Sequence, residues 1–235
     1  MLNKIHHGDC LELMKDIPDN SVDLILTDPP YGIDFHSNHR KKSHLKSVGG
    51  ILNDNKDNIG FLHEVIKESF RVLKDDSHFY WFTRWDKVQE QQPILERYFK
   101  VKNNIVWMKN NWSMGDLKGA YAGQYENILF CQKGRKALNE VEGKKRHSDI
   151  LMFDRVSSSK LKHSHEKPIK LIEFLVNKSS IENQIVLDPF MGSGTTAIAC
   201  INASRFFIGI EQEKEYVDIA NKRIEQARSE TNEYQ

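Results

Sequence analysis

The sequence predicts an α/β fold, with a largely parallel sheet covered by helices on both faces. Three features of its 235 residues predict it. Short apolar runs alternate along the chain with segments of helical spacing, the pattern of strand–helix–strand units. One run, Val22-Asp23-Leu24-Ile25-Leu26, stops at Thr27-Asp28-Pro29-Pro30-Tyr31-Gly32. Another, Ile185-Val186-Leu187, stops at Asp188-Pro189-Phe190-Met191-Gly192-Ser193-Gly194-Thr195-Thr196. Apolar runs bounded by Pro and Gly read as buried strands feeding loops, and in an open α/β sheet ligands bind at such strand ends.

Seven strands are expected in order: Lys4 to His7, Val22 to Thr27, His78 to Thr83, Val101 to Trp107, Tyr125 to Cys131, Ile185 to Asp188 and Phe206 to Ile210. Between them, Phe61, Leu62, Val65, Ile66, Ser69, Phe70, Val72 and Leu73 recur with helical spacing. Trp85 to Phe99 is a second helical segment, weakened in its middle by Pro93. Pro168 to Lys178 opens on a proline suited to a first helical turn, with Ile169, Ile172, Leu175 and Val176 on one face. Thr195 to Ala203 and Glu213 to Arg228 complete the helices. Three stretches lack periodicity. Ile33 to Asn58 is basic and reads as a flexible loop after the first motif. Asn110 to Gln124 interleaves glycines with Trp112 and Tyr121, and Lys133 to His165 carries the clusters Lys144-Lys145-Arg146 and Lys160-Leu161-Lys162-His163. One domain over residues 1–235 is expected, with residues 133–165 as a small insertion.

A net charge of +1 gives no global field for a polyanion, so a nucleic-acid partner would have to be held by local patches. Hydrophobic residues at 39% and charged residues at 29% fit a globular domain. No apolar run approaches the roughly 18 residues of a membrane span, and Met1-Leu2-Asn3-Lys4-Ile5-His6 has no signal-peptide pattern. Cys10, Cys131 and Cys200 are too scattered for a metal cluster or a disulfide set. The expectation is a reduced, cytoplasmic protein without metal or membrane partner.

Pro29 and Pro30 fix their own φ and push the preceding residues towards extended geometry, so Asp28 and Tyr31 sit on a stiff loop. Alone, the motif also fits a Pro-rich turn. The second motif adds a ligand. Gly192 and Gly194 let backbone approach a ligand, and the helix that follows offers free N–H groups and a positive dipole end. It has no P-loop lysine, which argues against a nucleoside triphosphate, and lacks the full dinucleotide spacing. Phe206-Phe207-Ile208-Gly209-Ile210 then ends in Glu211, roughly 20 residues after the glycines, where an acid can accept hydrogen bonds from ribose hydroxyls. A nucleoside cofactor without pyrophosphate is implied, and S-adenosylmethionine fits.

The two motifs together resemble the amino-methyltransferases of DNA, in their circularly permuted β class, where the Asp-Pro-Pro-Tyr motif precedes the glycine motif. Gly8-Asp9-Cys10, Tyr125-Glu126-Asn127-Ile128-Leu129-Phe130 and His165-Glu166-Lys167-Pro168 match further segments of that class in the same order, over nearly the whole chain. The resemblance implies a Rossmann-like seven-stranded, mostly parallel sheet with one antiparallel strand. It implies that Asp28, Pro29, Pro30 and Tyr31 form the catalytic pocket. Asp9, Cys10, Asp28, Lys167, Asp188, Phe190, Gly192, Ser193, Gly194, Thr195, Thr196 and Glu211 would line the cofactor. Read without it, Asp9 also suits the N-cap of a helix from Cys10, Lys167 a solvated lysine and Asp188 a turn residue.

The implied reaction is methylation of the exocyclic 6-amino group of adenine, flipped out of double-stranded DNA. Asp28 and the Pro29 carbonyl would accept hydrogen bonds from the amine, and Tyr31 would stack on the base. Family members acting on the cytosine 4-amino group more often carry Ser where this chain has Asp28, which favours adenine. Arg40, Lys41 and Lys42, with Lys144, Lys145 and Arg146, are the candidate phosphate contacts. The shortness of 133–165 points to a short recognition sequence or to recognition shared in a homodimer. Bacterial or phage origin fits the class. Cytosine, RNA or protein glutamine as acceptor, and a non-catalytic subunit, are the competing readings; the last is disfavoured by the intact acidic motif.

Overall fold

The computed structural model describes residues 1–31, 58–112, 118–156 and 166–232. Arg40, Lys41 and Lys42, and the expected loop apart from Asn58, lie outside the described residues. The elements run β1 (Lys4–His7), α1 (Cys10–Met14), β2 (Val22–Thr27), α2 (Ile59–Val72), β3 (Leu73–Thr83), α3 (Val88–Leu95), β4 (Lys100–Met108), β5 (Tyr125–Lys133), β6 (Ile150–Met152), α4 (Ile169–Ser179), β7 (Ile185–Asp188), α5 (Thr195–Asn202), β8 (Phe206–Glu211) and α6 (Lys214–Asn232). One sheet holds the strands in the order β1-β8-β7-β2-β3-β5-β4-β6. Among the described residues only β5 runs against its neighbours, β3 and β4.

Alternation along the strands builds two cores. Leu24, Leu26, Tyr80 and Phe82 face α4, α5 and α6. Val22, Ile25, Phe79 and Trp81 face α1, α2 and α3. Successive strand side chains point to opposite faces, so a strand covered on both sides is apolar throughout. The continuous burial of Val22–Thr27 follows from that position.

Three expectations change. The sheet has eight strands rather than seven, because Ile150–Met152 pairs with Val106–Met108 at the edge. Three residues, of which only Leu151 is buried, leave too little alternation to stand out from the polar stretch around them. β3 starts at Leu73, straight from α2, and within it Asp76 takes a positive φ of 54°. Pro168 is the N-cap of α4 rather than its first residue, with extended φ and ψ.

The order of strands sets the site. β2 connects onwards to β3 on one side, and its other neighbour β7 connects to β8 on the opposite side. This reversal opens a crevice at the carboxyl ends of β2 and β7, the usual ligand position in such sheets. Asp28 follows the end of one strand and Asp188 ends the other.

Candidate active site

The β7 side of the crevice is made of backbone. Met191 N–H donates to the Ile210 carbonyl (2.9 Å) and Gly194 N–H to the Met191 carbonyl (3.1 Å), which folds 191–194 into a tight turn. Gly192 and Gly194 both take left-handed backbone, with φ of 55° and 88°. Their surroundings differ. A Cβ on Gly194 would lie 2.9 Å from the Ala220 Cβ of α6, so this glycine allows α5 and α6 to pack. A Cβ on Gly192 would meet nothing within 4 Å. That open space beside a helix N-terminus fits a ligand lying against the turn.

Glu211 closes the turn from β8. Its Oε2 accepts from Gly192 N–H (2.8 Å) and its Oε1 from Glu213 N–H (2.8 Å). Burial raises its pKa, opposed by those backbone donors. A carboxylate offers about four lone-pair sites, so acceptor capacity remains for a ribose hydroxyl. The residues present therefore fit S-adenosylmethionine: free space at Gly192 and a partly exposed acid on the adjacent strand.

Seven of the expected cofactor residues direct their side chains to partners within the protein. Asp188 Oδ1 accepts from Thr27 Oγ1 (2.9 Å) and Phe190 N–H (3.1 Å), and Oδ2 accepts from Thr196 Oγ1 (2.6 Å). It thereby ties β2, β7 and α5 together, and burial pushes its pKa up to about 6. Ser193 presents its carbonyl and hydroxyl to the Arg223 guanidinium, at 2.8 and 2.9 Å. Asp9 is the N-cap of α1, accepting from Leu11 and Glu12 N–H groups. Cys10 is packed in the core, its thiol pushed up to about 12 by burial and then by Asp9. Thr195 opens α5 and is buried. Phe190 packs edge-on against Phe61, with ring centroids 6.0 Å apart.

The β2 side is made of charge. Asp28 Oδ2 lies 2.5 Å from Lys167 Nζ, and the Tyr31 hydroxyl donates to Asp28 Oδ1. Lys167 Nζ also lies 3.1 Å from Glu126 Oε2, and Lys109 Nζ lies 2.6 Å from Glu126 Oε1. Four charges of alternating sign thus run from Lys109 on β4's end through Glu126 on β5 to Lys167 and Asp28. Burial alone would raise the Glu126 pKa, but the two ammoniums hold it well below the carboxylate range. Burial would lower that of Lys167, but Asp28 and Glu126 hold it up. The Tyr31 pKa is raised by burial first and by Asp28 next. Asn58, the buried N-cap of α2, gives its amide to the Pro30 carbonyl (2.9 Å), which pins the loop after β2.

Lys167, expected beside the cofactor, is ion-paired with the Asp28 carboxylate. The exposed cluster Lys144, Lys145 and Arg146 is anchored through its backbone to the far end of α4. Lys178 Nζ holds the carbonyls of Lys144 (3.4 Å) and Lys145 (2.9 Å). Lys178 is in the last turn of α4, whose first turn follows Lys167, so roughly 15 Å of helix separates the two lysines. Asn139 and Lys136 bind carbonyls of the same helix end. Sequence reasoning missed Glu126 and Lys109 as members of the charge chain, and Arg223, Asn58 and Thr27 as supports of Ser193, Pro30 and Asp188. Glu126 already lay within a matched segment, but its inward aim shows only once β5 is set beside β3.

A family model described as DNA methylase matches residues 22–222. The chain is 32% identical to the type II methyltransferase M2.MboI of Moraxella bovis, covering 93% of this chain and 86% of that protein. It is 31% identical to the DNA adenine methyltransferase YhdJ of Escherichia coli, over 95% of this chain and 83% of the relative. The crystal structure of the M1.HpyAVI–SAM complex superposes with a TM-score of 0.73 at 30% identity, covering 94% of this chain and 98% of that one.

Proposed function

Because the chain belongs to the DNA methylase family, we propose that it methylates the 6-amino group of adenine in double-stranded DNA. One observation carries this reading: the Asp28 carboxylate and the open space at Gly192 stand at the ends of neighbouring strands, on the two sides of one crevice. The amine lone pair of adenine is delocalised into the ring. Asp28 and the Pro29 carbonyl accept its two N–H groups, which localises the lone pair on nitrogen. S-adenosylmethionine, when bound, supplies the electrophilic methyl group. Asp28, still 24% exposed, is open to the amine and stabilises the positive charge that develops on it. The nitrogen then releases its proton to Asp28 or to water. Tyr31 swings from Asp28 to stack on the base, worth roughly 1–3 kcal/mol by analogy with single-strand binders. The target is inaccessible in stacked DNA, so the base is flipped out.

Asp28, where cytosine enzymes more often carry Ser, and the likeness to a relative named for adenine support adenine over cytosine. Among the described residues no helix is long and apolar enough to cross a membrane. The reading includes recognition by two copies of the chain, because residues 136–145 are committed in part to α4; mass measurement with and without duplex tests it. Single-molecule sequencing of DNA from cells expressing the chain tests the whole: N6-methyladenine in a fixed context is expected. N4-methylcytosine, or label in RNA or protein alone, overturns it.

A further inference from the structure

We propose that Lys167 is a positioning residue for Asp28, locking one carboxylate oxygen so that the other serves the substrate. The proposal rests on the methyltransferase reading above. Lys167 Nζ is fixed from three directions: by Asp28 Oδ2 at 2.5 Å, by Glu126 Oε2 at 3.1 Å and by the Phe82 ring, whose centroid is 5.3 Å away. Its side chain is 9% exposed, so water does not take over these contacts. Lys109 holds the other Glu126 oxygen from behind. An aspartate carboxylate turns readily about its Cβ–Cγ bond unless one oxygen is held. Lys167 holds Oδ2, which leaves Oδ1 as the oxygen that faces the amine. The Tyr31 hydroxyl occupies Oδ1 in the free protein. Its departure to stack on the base would vacate the position that the amine takes.

The backbone carrying Lys167 is itself anchored to the cofactor side. Its neighbour Glu166 accepts from Arg223 Nη2 at 2.6 Å, and Arg223 Nη1 grips Ser193 of the glycine turn. Adjacent residues thus reach the two sides of the crevice, Glu166 towards the turn and Lys167 towards the carboxylate. A lysine serving the cofactor directly would have its ammonium among cofactor groups. Here it lies between two acids, one of them the catalytic residue.

The test is Lys167→Met, which keeps the length and removes the charge, with Lys167→Arg beside it. Single-turnover methylation of duplex DNA is expected to fall about 100-fold in the Met variant, with the S-adenosylmethionine Kd changed less than about threefold. Lys167→Arg should recover about tenfold of that loss, since a guanidinium can hold the same oxygen. In an Asp28→Asn background, Lys167→Met should add less than about threefold, because the two act as one unit. A Kd that rises in step with the lost rate, or a rate unchanged in Lys167→Met, overturns the proposal. A readout without substrate separates this from the function: nitrogen-15 NMR of the Lys167 ammonium. Asp28→Asn should lower its titration by at least about 1 pH unit, with Glu126 still in place. No change there overturns the pairing. The change seen in a protein that labels no DNA keeps the pairing and sinks the DNA reading.

Discussion

The two sides of the crevice are built from different materials. On the β7 and β8 side, backbone N–H groups, two left-handed glycines and a helix start do the work, nearly all within 188–196 and 211. On the β2 side, four charged side chains from four separate segments form one chain that ends at the Asp28 carboxylate. A backbone site is specified locally and fails when a Cβ intrudes. A charge site is assembled by the fold and fails when one partner is removed. The difference yields contrasting expectations for substitution and for pH.

The largest effects should come from the reciprocal pair Asp28→Ala and Gly192→Val. Asp28→Ala should reduce methyl transfer by at least about 1,000-fold, the scale of removing a preorganised charge partner, and leave the S-adenosylmethionine Kd within about threefold. Gly192→Val should do the converse, raising Kd by about 10- to 100-fold. A β-branched side chain there meets a φ of 55° and projects into the ligand space. Calorimetry and single-turnover rates read both variants. Loss of cofactor affinity in Asp28→Ala, or normal affinity in Gly192→Val, would erase the division between the sides.

Titration should separate the sides by about 3 kcal/mol each. Burial pushes the Asp188 pKa from 3.8 to about 6, so the folded protein holds that proton more tightly than the unfolded chain does. Its contribution therefore rises as pH falls from about 6 to 4, by up to about 3 kcal/mol, and is lost as pH rises through 6. Glu126 has the opposite sign. Its folded pKa is depressed below 4.5, so its stabilisation is present above 4.5 and is lost as pH falls below it. Denaturant unfolding from pH 3 to 8 should show Asp188→Asn flattening the slope between 4 and 6. Glu126→Gln should cost about 3 kcal/mol near neutrality, since it leaves Lys109 and Lys167 short of their shared acid, and should remove the acid loss. Identical profiles for the two variants would show that one network spans both sides.

What could be read in the sequence follows the same division. The strand ends, the glycine turn and Glu211 were legible because turn chemistry and strand periodicity are local. Asp28 and Tyr31 were legible as a motif, but Tyr31 donating to Asp28 and Lys167 meeting it were not, since Asp28 and Lys167 are 139 residues apart. Lys144 to Arg146 read as a basic patch and their side chains are exposed, but charge runs show composition and not what holds the backbone; Lys178, buried under the carbonyls of Lys144 and Lys145, carries no signal in sequence. β6 was hidden by its length of three residues. Asp9 was the reverse case, where the local reading as a helix cap is what the structure shows.

Asp9 offers the smallest effect and the finest test of the contrast. It follows β1, whose His7 pairs with Glu211, so its carboxylate is close to the cofactor side without belonging to the glycine turn. Its Oδ1 is spent on the N–H groups of Leu11 and Glu12, at 2.9 and 3.2 Å. Replacing such a cap by Ala costs about 1 kcal/mol, and a Ser in its place restores most of that. Asp9→Ala should therefore lower stability by about 1 kcal/mol with the S-adenosylmethionine Kd unchanged within about twofold, and Asp9→Ser should return stability. Chemical denaturation and calorimetry on both variants suffice. If Asp9→Ser restored stability yet bound the cofactor tenfold more weakly, the carboxylate would be touching the ligand through its second oxygen. The β7 side would then depend on a charge from a third strand, and the line between a backbone half and a charge half would have to be redrawn at β1.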